Sequence, residues 1–353
     1  MSDTREQGAF AQIPMKWLGP LRISGNVAEG EVEVPLATYE TTLFPSVKRG
    51  ATVSRLVEGG IRTTLVDERM TRSILFEADS AADAYDSARR VCADLSSLQE
   101  VVAGTSRFAR LIDIAPEIVG NLLYLRLEFL TGDAAGHNMV TLAADALMAH
   151  IANRESALRY ASISGNYCTD KKTSAVNGIR GRGKNVIAEI VLPEEVLRRR
   201  LRTSAERMAD LNVRKNLVGG IAAGSLRSAN AHYANMLLGF YLATGQDAAN
   251  IVEGSQGITH TERRGRDGED LYFSCTIPHL IVGSVGNGKG LDFVSDNLAR
   301  LGCREEREPG ENARRLAGIA AATVLCGELS LMAAQTNPGE LMAAHVQFER
   351  SSR

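Results

Sequence analysis

The sequence predicts an α+β protein in which a small α/β domain, residues 73–165, is inserted into a large, mainly helical domain made of residues 1–72 and 166–353. Three observations predict it. At 353 residues the chain exceeds the length at which a single core usually divides. Within 73–165 the hydrophobic period changes in the order β-α-β-β-α-β, the ferredoxin-like arrangement. Outside it, Gly- and Ala-rich segments carry helical spacing, and small residues let helices approach closely.

In the small domain "SILFEA" reads as a strand, and "SAADAYDSARRVCADLSSLQEVV" spaces Ala, Tyr and Val at helical intervals. "RFARLIDI" and "NLLYLRLEFL" alternate, the second placing Leu123, Leu125, Leu127 and Phe129 on one face. Val140, Ala143, Ala144, Leu147, Met148 and Ile151 then follow helical spacing, and "YASIS" makes the last strand. In the large domain, "VLRRRLRTSAERMADL" is a helix opened by Pro193, Glu194 and Glu195. Its arginines read as a solvated face, because no aromatics interleave with them as nucleic-acid binding would require. "SANAHYANMLLGFYLATG" is a helix with Ser228 at its start and Gly245 at its end. The terminal helix runs from about Glu311 to Gln335, where Asn337, Pro338 and Gly339 stop it.

With 44% hydrophobic residues and a net charge of -2, no overall basic field draws the chain to nucleic acid. The start, "MSDTREQGAFAQIP", carries both charge signs, and no run of about 18 apolar residues occurs. The expectation is therefore a cytoplasmic protein with no signal peptide, no membrane span and no nucleic-acid partner. Cys92, Cys168, Cys275, Cys303 and Cys326 are odd in number and far apart, which argues for reduced thiols over a disulfide framework or a metal site.

Two loops are rich in glycine. "GSVGNGKG", residues 283–290, nearly spells a phosphate loop, but Gly290 stands where Ser or Thr would hold a magnesium ion, and GxGxxG fails at Leu291. It is either a plain turn or a place where backbone N–H groups approach an anion. "TGDAAGHNM", residues 131–139, joins a strand to a helix start, and Gly132 and Gly136 permit close approach of a pyrophosphate there. "TSRF" places Ser106 and Arg107 where a further phosphate would meet a charge-assisted contact. Each segment alone is commonly just a turn.

Charged residues converge on "SGNYCTDKK", which ends in Asp170, Lys171 and Lys172, followed by Arg180, Arg182 and Lys184. Glu40 lies among apolar and hydroxyl residues, where burial would raise its pKa. Asp247, in "TGQDAANIVEG", follows a helix stop, and an Asp after Gly-Gln before a helical run is commonly only an N-cap. Among the histidines, His137 follows the Gly-rich turn, His232 shares a helix face with Asn235, and His345 stands on the terminal tail.

Taken in order, "VPLATYE", "MTRS", "TSRFARL", "TGDAAGHNM", "SGNYCTDKK", "RKNLVG", "NAHYANM", "TGQDAANIVEGS", "VGSVGNGKG" and "PGENARRLA" resemble the 3-hydroxy-3-methylglutaryl-coenzyme A (HMG-CoA) reductase family over nearly the whole chain. The likeness is to the catalytic portion of the class I enzymes. It implies four-electron reduction of HMG-CoA to mevalonate and free CoA with two nicotinamide cofactors, on the mevalonate route of isoprenoid biosynthesis. It further implies Glu40, Lys171, Asp247 and His345 as the catalytic set, with the Lys171 ammonium, in a dry site, facing the developing oxyanion. Asp247 would hold that ammonium, Glu40 relay protons, and His345 protonate the departing thiolate.

The same resemblance implies that Arg72, Ser164, Asp170, Lys172, Lys215 and Asn235 bind the hydroxymethylglutaryl part, and that Ser46 and Arg49 contact CoA. Ser106, Arg107 and Phe108 fall to the 2′-phosphate side of the cofactor, favouring NADPH over NADH. Asp133, Ala134, Ala135, Gly136, His137 and Asn138, with Val285, Gly286, Asn287 and Gly288, fall to the rest of it. Active sites shared between subunits are implied, hence a homodimer or a homotetramer. The different-class alternative is a catalytically silent CoA- or nucleotide-binding protein on the same scaffold.

The sequence also departs from the family pattern. "DAAGHN" stands where the family has "DAMGMN", so Ala135 and His137 replace methionines, and "IPMKWLGPL" keeps only the final GPL. Glu340 occupies a place where many relatives have a second histidine, and "AAQTNPGEL" is one residue longer. Ser351 stands six residues after His345, as does a regulatory phosphorylation site in eukaryotic relatives.

Overall fold

In the computed structural model, which describes residues 11–347, one long strand joins two sheet regions. β1 (Met15–Gly25) pairs antiparallel with β2 (Gly30–Ala37) and parallel with the start of β3 (Ile61–Glu77). The first half of β3, from Arg62 to Arg69, pairs with β7 (Gly183–Leu192), and its second half, from Met70 to Glu77, pairs with β5 (Leu122–Leu130). β4 (Arg110–Val119) lies outside β5, and β6 (Arg159–Ser162) pairs with the other edge of β3. β8 (Ile258–Arg264) and β9 (Asp270–Leu280) complete the order β2-β1-β3-β7-β9-β8. The architecture is mixed α+β with a mixed sheet.

The expected boundary between residues 72 and 73 therefore falls inside β3, where no linker exists. The strand runs on because both of its halves find a hydrogen-bonding partner and a core to cover. Two buried clusters result. One gathers Ile74, Phe76, Leu123, Leu125, Leu127, Phe129, Val140, Leu147 and Ile151. The other gathers Leu21, Val34, Val47, Ala188, Phe240, Phe273, Leu316 and Leu329. Both periodicities read from the sequence are seen, since the alternating face of β5 and the stripe of α4 (His137–Arg154) are buried.

Three local expectations change. The single helix expected after Ser80 is two, α2 (Ala81–Ala93) and α3 (Leu95–Ala103), with Asp94 leaving helical geometry between them. Apolar spacing continued across the break, so periodicity alone did not reveal it. The helix Tyr233–Ala243 is not started by Ser228; instead the Asn230 side-chain oxygen accepts the Tyr233 N–H at 3.2 Å. Gly245, with φ +62, does end it. The arginine-rich helix is interrupted at Arg202, φ +55, and resumes as Ala205–Leu211 with Ser204 as its cap. The remainder expected to be mainly helical also carries a six-stranded sheet.

The long helix Glu311–Gln335 takes the range expected for it. It is apolar and long enough to cross a membrane, yet 94% of its most apolar window is buried inside the fold. Close packing explains its small residues. A Cβ on Gly50 of α1 (Leu43–Arg55) would collide with the Cys326 backbone. All five cysteines are free thiols, and all but Cys92 are buried.

Candidate active site

The segment from Asn166 to Lys171 holds three non-glycine residues in left-handed backbone conformations: Asn166 (φ +60), Thr169 (φ +39) and Lys171 (φ +56). Such residues persist only where their surroundings hold them. Asn177 Nδ2 donates to the Thr169 carbonyl at 3.2 Å, and the Lys171 N–H donates to Glu253 Oε1 at 3.1 Å.

The turned-out Lys171 Nζ lies 2.6 Å from Asp247 Oδ2. Asp247 Oδ1 accepts the Ala249 N–H at 3.1 Å. The capping and the ion-pairing readings of Asp247 thus both hold, one on each oxygen. The hydrogen bond to Asp247 raises the Lys171 ammonium above the ordinary lysine value. For Asp247, burial works upward, but the Lys171 bond and the Ala249 N–H outweigh it and hold the carboxyl below its usual value. The dry setting expected for Lys171 is absent within one chain: its side chain is 40% exposed and that of Asp247 is 45% exposed.

Near this pair stand other charged residues of the segment from Asp170 to Lys184. Asp170 Oδ1 accepts from Arg182 Nη2 at 2.6 Å, and His137 Nε2 approaches it at 3.5 Å. Burial opposes ionisation of Asp170, yet the His137 contact and the charges of Arg182 and Lys171 hold its carboxyl well below the usual range. Arg182, a loop cation in the sequence, is buried and also donates to the carbonyl and hydroxyl of Thr71 at 2.9 and 2.8 Å. Lys172 Nζ turns to the Asp170 carbonyl at 3.0 Å. Arg72 Nε donates to Ile163 O at 3.3 Å, beside the exposed Ser164.

Both Gly-rich loops meet next to this cluster. A parallel β-bridge joins Ala134 to Val285, and the Ser284 N–H donates to the Asp133 carbonyl at 2.9 Å. A Cβ on Gly283 would collide with Ala135 N, so the loops approach only because residue 283 lacks a side chain. Gln246, the neighbour of Asp247, brackets Gly283 by accepting its N–H at 3.0 Å and donating to its carbonyl at 3.1 Å.

Gly136 (φ +98) starts α4, and no side chain caps the N–H groups there. Asp133 is occupied elsewhere: its carboxylate accepts the Gly310 and Ala313 N–H groups at 3.0 and 2.9 Å and so caps the long helix. The Arg107 guanidinium lies over the Phe108 ring at 4.6 Å, and the Phe108 N–H donates to Ser106 Oγ at 3.2 Å.

A cleft of about 850 Å³ is lined by Glu40, Ser46, Arg49, His232, Asn235 and His345, among others, but by neither Lys171 nor Asp247. The tail helix Glu340–His345 forms one wall. Arg49 donates to Glu340 Oε1 at 2.7 Å, to Ser330 Oγ at 3.0 Å and to the Ser330 carbonyl. Asn235 Nδ2 lies 3.3 Å from His232 Nδ1.

Lys215 donates to Asn216 Oδ1 at 3.3 Å; burial lowers its pKa, against the opposing charge of Glu328. Glu40, which lines the cleft, is only partly buried. Three organising residues were not expected from the sequence: Gln246, Glu253, and Glu328, whose carboxylate accepts the Ala231 and His232 N–H groups at 2.6 and 3.0 Å. The first two lie within the quoted "TGQDAANIVEG" motif, whereas Glu328 is an acid in an otherwise apolar helix, which was a usable signal.

A paired lysine and carboxylate beside two interlocked Gly-rich loops make this the candidate active-site region of an enzyme. The chain belongs to the hydroxymethylglutaryl-coenzyme A reductase family, whose family model matches residues 8–350. It is 47% identical over 326 residues to the 3-hydroxy-3-methylglutaryl-coenzyme A reductase of Pyrococcus abyssi, covering 92% of this chain and 79% of that one. The Aeropyrum pernix protein of the same name is 46% identical, with 95% and 78% covered. A class II 3-hydroxy-3-methylglutaryl-CoA reductase from Streptococcus pneumoniae, solved bound to NADPH in open conformations, shares the fold with a TM-score of 0.74. It is 18% identical, with 95% of this chain and 88% of that one covered.

Proposed function

We propose that this chain reduces HMG-CoA to mevalonate and free CoA using two NADPH. The observation that carries the reading is the 2.6 Å pair of Lys171 and Asp247, set beside the interlocked loops 131–138 and 283–288. The Lys171 ammonium stabilises negative charge developing on the thioester carbonyl oxygen, and the Asp247 carboxylate keeps it charged and aimed. His345 donates a proton to the departing CoA thiolate, and Glu40 relays protons to the reduced oxygen. Arg72, Ser164, Asp170, Lys172, Lys215 and Asn235 hold the hydroxymethylglutaryl part, while Ser46 and Arg49 contact CoA.

Residues 73–165 are read as the ferredoxin-like cofactor domain, supported by the strand order β4-β5-β3-β6 and by the separate apolar cluster beneath it. The residues fit a dinucleotide: the uncapped start of α4 at Gly136 suits a pyrophosphate, and Arg107 with Ser106 suits the 2′-phosphate. When bound, the cofactor supplies hydride. Ala134, Ala135, His137, Asn138, Phe108 and Val285, Gly286, Asn287 and Gly288 line its place; Asp133 contributes through its main chain.

We read the site as completed between two copies, within a homodimer or homotetramer, in the cytoplasm. The exposure of Lys171 and its absence from the Glu40–His345 cleft support this, since a second chain covers the ammonium and brings the two groups together. Oxidation of NADPH dependent on HMG-CoA, followed by absorbance, tests the reading. Lys171→Ala is expected to lower turnover roughly 10²–10³-fold while cofactor binding persists. A folded wild-type protein that oxidises neither NADPH nor NADH refutes the reading and leaves the silent binding protein.

A further inference from the structure

Glu253 lies on the short helix Ile251–Gly254, in the same turn-and-helix segment as Asp247, and is fully buried. Its Oε1 accepts the Lys171 N–H at 3.1 Å and Asn250 Nδ2 at 2.9 Å. The same oxygen stands 3.6 Å from Nε of Arg182, the arginine that grips Asp170 at 2.6 Å. One segment thus takes hold of one lysine at both ends: Asp247 receives the ammonium, and Glu253 receives the main-chain N–H.

We propose that Glu253 is a positioning residue for the reaction, its carboxylate holding Lys171 in the left-handed backbone conformation that points the ammonium at Asp247. The inference rests on the proposed reductase reading. Lys171 at φ +56 adopts a conformation that residues with a Cβ seldom keep unaided, and its N–H has Glu253 Oε1 as its acceptor. A buried carboxylate is costly unless cations and donors surround it. Here Asn250 donates to Oε1 and Arg182 stands 3.6 Å from the same oxygen, while Oε2 is buried without a hydrogen-bond partner among the described residues; the charge of Glu253 also disfavours the ionised form of Tyr241. His279, also buried, shares the neighbourhood of Arg182 and stays uncharged near neutrality, its pKa lowered to about 4 mainly by burial. Burial likewise raises the Glu253 carboxyl above the ordinary glutamate value, with Arg182 opposing.

Two variants and two readouts test the proposal. Glu253→Ala removes the acceptor; Glu253→Gln keeps an amide oxygen for the Lys171 N–H but removes the charge. For Glu253→Ala, kcat is expected to fall on the order of 10²-fold, as for an ångström-scale misplacement, with the KM for NADPH within about twofold of wild type. Glu253→Gln is expected to recover about tenfold of that loss.

The second readout needs no turnover: the rate at which an acylating reagent modifies Lys171, followed by mass spectrometry across pH. In both variants the labelling profile is expected to move to lower pH, because an anion that favours the ammonium is gone. Wild-type kcat in Glu253→Ala, or equal loss in the two variants with an unmoved labelling profile, overturns the proposal. If Glu253→Ala does not fold, the labelling profile of Glu253→Gln decides alone, and an unmoved one is fatal. A wild type without activity refutes the reductase reading instead, and the labelling arm still judges the positioning claim.

Discussion

Arg49 on α1 and Glu340 on the tail helix are bound to each other at 2.7 Å, with side chains only 24% and 17% exposed. Arg49 is therefore held by the tail that carries His345. On the proposed reading, in which Arg49 contacts CoA, a substrate phosphate competes with Glu340 for the same guanidinium.

Glu340→Gln is expected to lower the KM for HMG-CoA about two- to fivefold, the worth of a partly exposed ion pair. The kcat should change little. Steady-state kinetics with varied HMG-CoA checks it, and an unchanged or higher KM counts against a role for Arg49 in CoA binding.

Asp247→Asn bears on the charge of Lys171. The carboxylate raises the ammonium above the ordinary lysine value, so its removal lets that pKa fall. On the proposed mechanism, activity needs the charged form. The alkaline limb of the kcat profile should therefore lie at lower pH in the variant, with a plateau reduced roughly 10-fold or more. An alkaline limb that stays in place means that Lys171 does not set it.

Arg107→Ala separates the two cofactors. A charge-assisted bond to a phosphate contributes about 1.5–3 kcal/mol, so the KM for NADPH should rise roughly 10- to 100-fold. The KM for NADH, which has no 2′-phosphate, should not move. Equal loss with both cofactors would show that Arg107 acts through its stacking on Phe108 instead.

Gly50→Ala tests the seam between α1 and the long helix. The added methyl meets the backbone of Cys326, which no side-chain rotation relieves. Overpacking of this kind costs about 1–3 kcal/mol. Thermal unfolding should occur at lower temperature, and the KM for HMG-CoA should rise, because α1 carries Ser46 and Arg49. Wild-type unfolding would mean that the helices separate more easily than their packing indicates.

Local patterns carried much of this structure. The alternation of "NLLYLRLEFL", the stripe from Val140 to Ile151 and the range of the long helix are all legible because neighbouring residues in sequence set the period of burial. Breaks that depend on single backbone angles, at Asp94 and Arg202, left no trace in that period. The family was legible too, because its motifs are short and contiguous.

What required folding was proximity between distant segments. No spacing rule brings Gln246 around Gly283, Asp133 onto the long helix, or Glu253 beneath Lys171. These contacts form where strands and loops from different parts of the chain converge, and their energies depend on burial that only the packed molecule creates. Residue types and periods determined which side chains are present and which faces are apolar. Packing alone decided that the lysine meets its carboxylate and the Gly-rich loops interlock, while Glu40 and His345 line a cleft in which neither Lys171 nor Asp247 takes part.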